Sequence, residues 1–401
     1  MKLDIAAIPT LAIAIIVLML GRFLIRHVRF FQRYTLPEPV VGGLLAALLI
    51  TGLRLGAGTD ITFDLSLQTP FMLAFFATVG LSADVRTLVQ GGRSVAIFLV
   101  AVIGTLVLQN AIGIAAAIGM DLHPLTGLLA GSITMTGGHG TGAAYAARFS
   151  TVDNLYGAME MAMACATFGL VLGGLVGGPV AQRLITRHGL QPAQTDSGLQ
   201  VPEDRDIHAP MLTEHHVLET MLLIALCIVA GTYLAPRVGS DSFALPAFVW
   251  TLFTGVTLRN VLTLSGIWRV NDYAVSLLGR LALSLFLAMA LMSLRLWELV
   301  SLALPILVIL SLQTVAIVLY AYFITFRMMG SNYDAAVMAA GHCGIGLGAT
   351  PTAIANMQAV TSRHGPSPQA FLVIPIVGAF LIDIVNALTI QAFLSLPVVG
   401  F

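Results

Sequence analysis

Asp383 stands in the string GAFLIDIVNAL (378–388), with apolar residues on both sides. A carboxylate inside an apolar segment of membrane-spanning length is expensive to keep there and marks a functional site. Asn386 follows three residues later, on the same face of a helix. A carboxylate and an amide oxygen, completed by backbone carbonyls, make an oxygen-rich site for a hard cation, Na⁺ foremost. The same carboxylate suits a substrate ammonium group, and the residues alone leave both readings open. For Asn386 a plain helix-packing bond is an equal alternative.

Two further stretches combine glycine, hydroxyl and histidine side chains. The first is GLLAGSITMTGGHGTGAAYAARF (127–149) and the second NYDAAVMAAGHCGIGLGATPTAIANM (332–357). Each reads as a helix of small residues, a glycine cluster, and a second such helix. Glycine supplies the positive φ and close approach that a tight tip inside a membrane needs. Broken backbone at that depth is tolerated only beside protein or a water-filled cavity. The second helix of each pair starts with bare N–H groups, near Gly140-Thr141 in one stretch and Thr350-Pro351-Thr352 in the other, where Pro351 suits the first helical position. Helix N-termini attract anions, and two of them aimed at one site fit an anion with two carboxylates. The expected substrate-binding residues are Ser132, Thr136, Gly138, His139, Gly140 and Thr141 in the first stretch, and Gly348, Thr350, Pro351 and Thr352 in the second. The expected cation site is Gly137, Gly346, Asp383 and Asn386. Gly127 and Gly131 read as helix-packing glycines. His139 either bonds substrate or relays protons, or satisfies a tip carbonyl; His342 reads as structural. Polar insertions also occur at Gln109-Asn110 and Gln313-Thr314, while Asp84, Arg86, Arg295 and Glu298 read as interface anchors. No Ser/His/Asp triad, HExxH or phosphate-binding loop is present, so no catalytic residues are assigned. Cys165, Cys227 and Cys343 are widely spaced in apolar sequence, which suggests neither disulfides nor a transition-metal site.

The elements that carry these residues follow from composition. Of 401 residues 58% are apolar and only 9% charged, and mean hydropathy is +0.93. Soluble domains carry about 25% charged residues, so an ordinary soluble enzyme is excluded. Disorder is excluded by the hydrophobicity, and a net charge of zero provides no field for nucleic acid. The chain reads as an all-α polytopic membrane protein. Ten apolar windows of crossing length fall near 5–24, 39–57, 66–84, 94–118, 157–182, 215–236, 243–263, 275–294, 299–325 and 368–396. The first reads as a retained helix and not a signal peptide: Asp4 precedes it and arginines follow. The stretches at about 122–147 and 333–361 are too polar to be simple spans and are expected to be re-entrant. With both termini outside, only Lys2, Arg54, Arg148, Arg237 and Arg295 of the 19 basic residues fall in outer segments. That bias favours both termini periplasmic.

The chain also resembles itself. A shift of 209 or 210 residues sets Leu36-Pro37 on Leu245-Pro246, Ser66-Leu67 on Ser276-Leu277, Phe76 on Phe286, Ala130-Gly131 on Ala340-Gly341, Gly138 on Gly348 and Gly169 on Gly378. The expected organisation is an N-terminal repeat (1–185), a cytoplasmic linker (186–212) and a C-terminal repeat (213–401), each repeat with five spans and one re-entrant hairpin between its fourth and fifth spans. Five is odd, so the second copy enters from the opposite side. Inverted repeats are the usual build of secondary transporters, with the site at the midplane between them. They speak against a channel or an intramembrane enzyme. The residues themselves specify only a small anion and a cation, which leaves another organic anion such as citrate, driven by Na⁺ or H⁺, as an alternative.

The strings MLAFFATVGLSADV (72–85), GLLAGSIT (127–134), GGHGTGAA (137–144), MACATFGLVLGGLVGGPVA (163–181), SLFLAMALMSLRLWEL (284–299), residues 332–359 and GAFLIDIVNAL (378–388) resemble the bacterial sodium/glutamate symporters along almost the whole chain. The resemblance implies Na⁺-coupled uptake of glutamate across the bacterial inner membrane, with Na⁺ as coupling ion and no organic cofactor. It also implies a homodimer, alternating access of elevator type, and a binding site on the two hairpins. The family's glycine-glycine-x-glycine tip matches Gly137-Gly138-His139-Gly140, and Gly346-Leu347-Gly348-Ala349 matches it in part.

Overall fold

The computed structural model describes residues 2–28, 37–151, 153–192, 212–240, 243–266, 268–294 and 303–399. Most of the expected linker, 186–212, lies outside them, as do Arg295 and Glu298. Helices α1 (Ala7–His27), α2 (Glu38–Ala57), α3 (Gln68–Leu81), α4 (Val85–Gly119), α5 (Pro124–Ile133), α6 (Gly138–Thr151) and α7 (Ala158–His188) form the first part of the chain. The second part contains α8 (Glu214–Leu234), α9 (Ala247–Ser265), α10 (Asp272–Met292), α11 (Ala303–Met328), α12 (Tyr333–Leu347), α13 (Thr350–His364) and α14 (Pro368–Leu394). Short strands β1 (Lys2–Ile5) and β2 (Asp60–Phe63) pair in parallel beside α1 and α2, and β3 (Gly239–Ser240) pairs antiparallel with β4 (Phe243–Ala244).

Helix boundaries follow local chemistry. Asn271 and Asn332 accept from Ala274 N and Ala335 N and so cap α10 and α12. Gly58, Gly189 and Gly266 end α2, α7 and α9 in the left-handed region. Among the described residues nine helices are long and apolar enough to cross a membrane, which makes the chain a polytopic helical membrane protein. The expected crossing at 66–84 is the exception. There α3 has 14 residues, a rise of about 21 Å against a hydrocarbon core of about 30 Å. Its end is pinned by side chains that its apolar pattern does not reveal. Arg259 of α9, 7% exposed, lies 3.2 Å from Asp84 and 2.6 Å from Asp272. Next to it Asn260 donates to Ala83 O and accepts from Val85 N. Asp84 is therefore a half-buried ion-pair partner of the buried Arg259, where the sequence suggested only an interface anchor.

Among the described residues three helices contain a π-turn: α5 at Leu129–Ile133, α11 at Ala321–Thr325 and α14 at Val377–Leu381. Such turns commonly mark functional positions. In α14 the turn follows Pro375, which lacks the N–H and the clearance that a regular helix requires. The core joins the parts before and after the linker. α12 lies along α7, and a Cβ on Gly169 would sit 2.3 Å from Leu347 O, so only glycine permits that approach.

Candidate functional site

Both glycine-rich stretches are broken, each in its own way. In the first, His123 Nδ1 accepts from Leu125 N at the start of α5. The helix then loses regular geometry at Gly131 (φ −92°, ψ −137°), where Asn110 Oδ1 accepts from Ser132 N at 2.9 Å. The chain turns at Gly138 (φ +64°), a left-handed conformation that only glycine adopts without strain, and α6 begins. In the second stretch α12 ends at Leu347, Gly348 turns the chain (φ −152°, ψ −94°), and α13 starts at Thr350 with Pro351 in its first turn and no side-chain cap. The two breaks meet. A Cβ on Gly138 would lie 3.5 Å from Gly348 O, and Thr136 Oγ1 lies 3.4 Å from Gly346 O.

A cavity of about 860 Å³ opens at this junction. Residues 136–141 line it from one break and 348–351 from the other. α14 adds Gly378, Ala379, Ile382 and Asp383; α10 adds Arg280 and Ser284; Arg22 and Glu38 stand where α1 and α2 reach it. The N-termini of both α6 and α13 therefore open onto one space. Their free N–H groups and dipoles favour anionic groups there. Arg22 lies 3.7 Å from Glu38. Arg280 donates to Ser276 Oγ at 2.6 Å, a neutral partner that leaves its charge uncompensated among the described residues. Asp383 brings the opposite charge to the same wall.

Of the residues expected to bind substrate, Thr136, Gly138, His139, Gly140, Thr141, Gly348, Thr350 and Pro351 line the cavity. His139 Nε2 faces Thr167 Oγ1 at 3.0 Å, and Thr350 Oγ1 donates to Gly378 O at 2.7 Å, tying the start of α13 to the π-turn of α14. Ser132 and Thr352 are buried away from it. The expected cation group divides in two. Gly137 and Asp383 reach the cavity. Gly346 lies in the last turn of α12, its carbonyl accepting from Gln109 Nε2 at 2.6 Å, and Asn386 Nδ2 donates to Ser132 O at 3.1 Å. His342 lies elsewhere, its two ring nitrogens on Thr105 Oγ1 (3.1 Å) and Thr325 Oγ1 (2.7 Å), with Phe98 and Tyr320 edge-on to the ring. The three cysteines are buried and free.

Arg280 is a cavity residue that sequence alone does not single out. It falls among the arginines assigned to cytoplasmic segments, yet it is the ninth residue of the 21-residue α10. The usable signal is its position: a helix start at Asn271-Asp272 places it about 12 Å into the span.

The model of the sodium/glutamate symporter family matches residues 2–366. The chain is 56% identical over 394 residues to the sodium/glutamate symporter of Escherichia coli strain K12, with 98% of each chain covered. It is 49% identical over 381 residues to the sodium/glutamate symporter of Haemophilus influenzae, with 94% of each covered. The family model spans both broken stretches and the relatives match the chain over nearly its whole length, which places it among these proteins: it belongs to the sodium/glutamate symporter family.

Proposed function

We propose that the cavity between the two glycine-rich breaks is where glutamate and Na⁺ meet. The chain is a secondary transporter, not an enzyme; it carries glutamate together with Na⁺ and is a multi-pass protein of the bacterial inner membrane. The observation that supports the site is the convergence of two helix N-termini, Arg280 and Asp383 on one space. Glutamate brings two carboxylates and one ammonium. In this reading the bare N–H groups at the starts of α6 and α13 take one carboxylate, helped by the Thr141 hydroxyl, and Arg280 takes the other. Asp383 takes Na⁺, with Gly137 lining the same cavity. The net negative charge of the amino acid and the positive charge of the ion then enter together, so neither is left unpaired at membrane depth.

The halves 1–185 and 213–401 are read as inverted repeats, with re-entrant hairpins at α5–α6 and α12–α13. The recurrence of sequence at an offset of 209 or 210, the matching order of helices and the meeting of the two breaks support this. Both termini on the periplasmic side, which counts the short α3 as a tenth crossing and the fifth of its repeat, a homodimer and an elevator motion of the cavity-bearing part complete the proposal.

Labelled L-glutamate uptake into proteoliposomes under an inward Na⁺ gradient tests the substrate. Unlabelled glutamate is expected to compete and citrate is not; competition by citrate alone would replace the substrate by another organic anion. Thr141→Leu and Thr350→Leu test the site. Each puts an apolar side chain over a helix N-terminus, and uptake is expected to fall to background in both. Uptake at the unaltered rate in both would remove the helix starts from the site.

A further inference from the structure

Beneath the cavity lies a second polar cluster, built from side chains on four separate helices. Gln109 and Asn110 come from α4, Ser132 from the π-turn of α5, Gln313 from α11 and Asn386 from α14. Each is at most 1% exposed. Contacts run through the whole group. Ser132 N donates to Asn110 Oδ1 at 2.9 Å, Asn386 Nδ2 to Ser132 O at 3.1 Å and Gln313 Nε2 to Gln109 O at 2.7 Å. Gln109 Oε1 accepts from Thr136 Oγ1 at 2.7 Å, and Thr136 also lines the cavity above.

Three oxygens in this group have no hydrogen-bond partner: Ser132 Oγ, Gln313 Oε1 and Asn386 Oδ1. Asn110 Nδ2 is the one unpartnered nitrogen of the group. Buried polar atoms are normally satisfied, and a group of exceptions calls for an occupant. All three oxygens have free lone pairs, and the Ser132 hydroxyl can turn its proton away, so an electron-poor occupant would satisfy them together. The oxygens are neutral amides and a hydroxyl, with no carboxylate in the group. A divalent cation draws carboxylates; a neutral oxygen set suits a weakly held monovalent ion that must also leave. The backbone is irregular at Gly131, next to Ser132.

We infer that Ser132 and Asn386, with Gln313 beside them, hold a Na⁺ ion below the substrate cavity, separate from the ion at Asp383. The inference rests on Na⁺ coupling and deepens it. Thr136 and Gln109 link the two levels, so an ion in the lower cluster fixes the break that forms the cavity wall. That order of events makes Na⁺ a prerequisite for a well-formed glutamate site.

The test uses the intact protein. Ser132→Ala and Asn386→Ala each remove one oxygen, and Ser132→Thr keeps the hydroxyl. In proteoliposomes the half-saturating Na⁺ concentration for glutamate uptake is expected to rise about tenfold or more in both alanine variants. The Na⁺ activation curve is expected to lose steepness, while half-saturating glutamate at saturating Na⁺ holds. Ser132→Thr is expected to restore the wild-type curve. A readout independent of transport is the thermal midpoint in NaCl against choline chloride, where the alanine variants are expected to lose part of the rise that Na⁺ gives the wild type. Alanine variants with the wild-type Na⁺ curve and the wild-type NaCl shift would overturn the site and leave water as its occupant. Failure of Asn386→Ala to fold leaves the decision to Ser132→Ala. A wild-type protein whose uptake ignores Na⁺ would refute the symport itself, an outcome distinct from loss of this site.

Discussion

Asp383→Asn is expected to abolish Na⁺-driven accumulation of glutamate while leaving the protein folded and in the membrane. Asparagine has the same shape, and Asp383 has no hydrogen bond or ion pair within the described residues that the exchange would break. What is lost is the charge. A hydrogen-bonded or coordinated charge contributes about 2–3 kcal/mol more than its neutral replacement, roughly 30- to 150-fold in affinity. Half-saturating Na⁺ therefore rises by at least that factor, out of the working range, and accumulation falls to background. Exchange of internal for external glutamate falls with it, because the ion and the amino acid are bound together. Normal size-exclusion behaviour and an unchanged melting temperature in choline chloride separate this outcome from misfolding. Retention of the wild-type Na⁺ dependence would remove Asp383 from the cation site.

Arg280→Gln is expected to give the second large effect, and to give it on glutamate. The guanidinium lies on the cavity wall with Ser276 Oγ as its neutral partner. Losing a charge-assisted contact to a carboxylate costs about 2 kcal/mol, roughly 30-fold in half-saturating glutamate. Half-saturating Na⁺ shifts less. Arg280→Lys keeps the charge and loses the planar fork, so it recovers part of the affinity and not all of it. Equal loss in Lys and Gln variants would indicate that geometry dominates; no loss in either would place the second carboxylate elsewhere. Opposite signatures for Asp383 and Arg280, one in Na⁺ and one in glutamate, distinguish a shared cavity with divided roles from a general disturbance of the helix interface.

These two residues also show what the sequence made legible. Asp383 is visible because an acidic residue inside an apolar run is too costly to keep there without a role. The glycine clusters are visible for a similar reason: a left-handed turn such as Gly138 requires glycine, and few other residue types leave so plain a trace. Arg280 is hidden because a basic residue near a span end looks like an ordinary loop charge until the helix start is known. The same ambiguity hides Arg259, which resembles a loop charge in sequence and is buried between Asp84 and Asp272. The shortness of α3 is hidden because hydropathy reports apolar length and not where side chains such as Asn260 pin the backbone. The separation of Asp383 from Asn386 into two levels is least legible of all. Three residues along a helix place two side chains on one face, yet the π-turn just before them and the partner at Ser132 decide which opens onto the cavity.

The most direct test of a single cavity shared by ion and amino acid is protection of a cysteine placed in its wall. Ala379 is exposed to the cavity beside Asp383, and the native cysteines are buried, so Ala379→Cys gives one reactive thiol on a quiet background. In proteoliposomes, labelling by a charged, membrane-impermeant thiol reagent is expected to slow when Na⁺ and glutamate are present together. Either alone is expected to protect weakly, and citrate with Na⁺ not at all. Labelling at the same rate with and without Na⁺ plus glutamate, in a variant that still transports, would contradict the account.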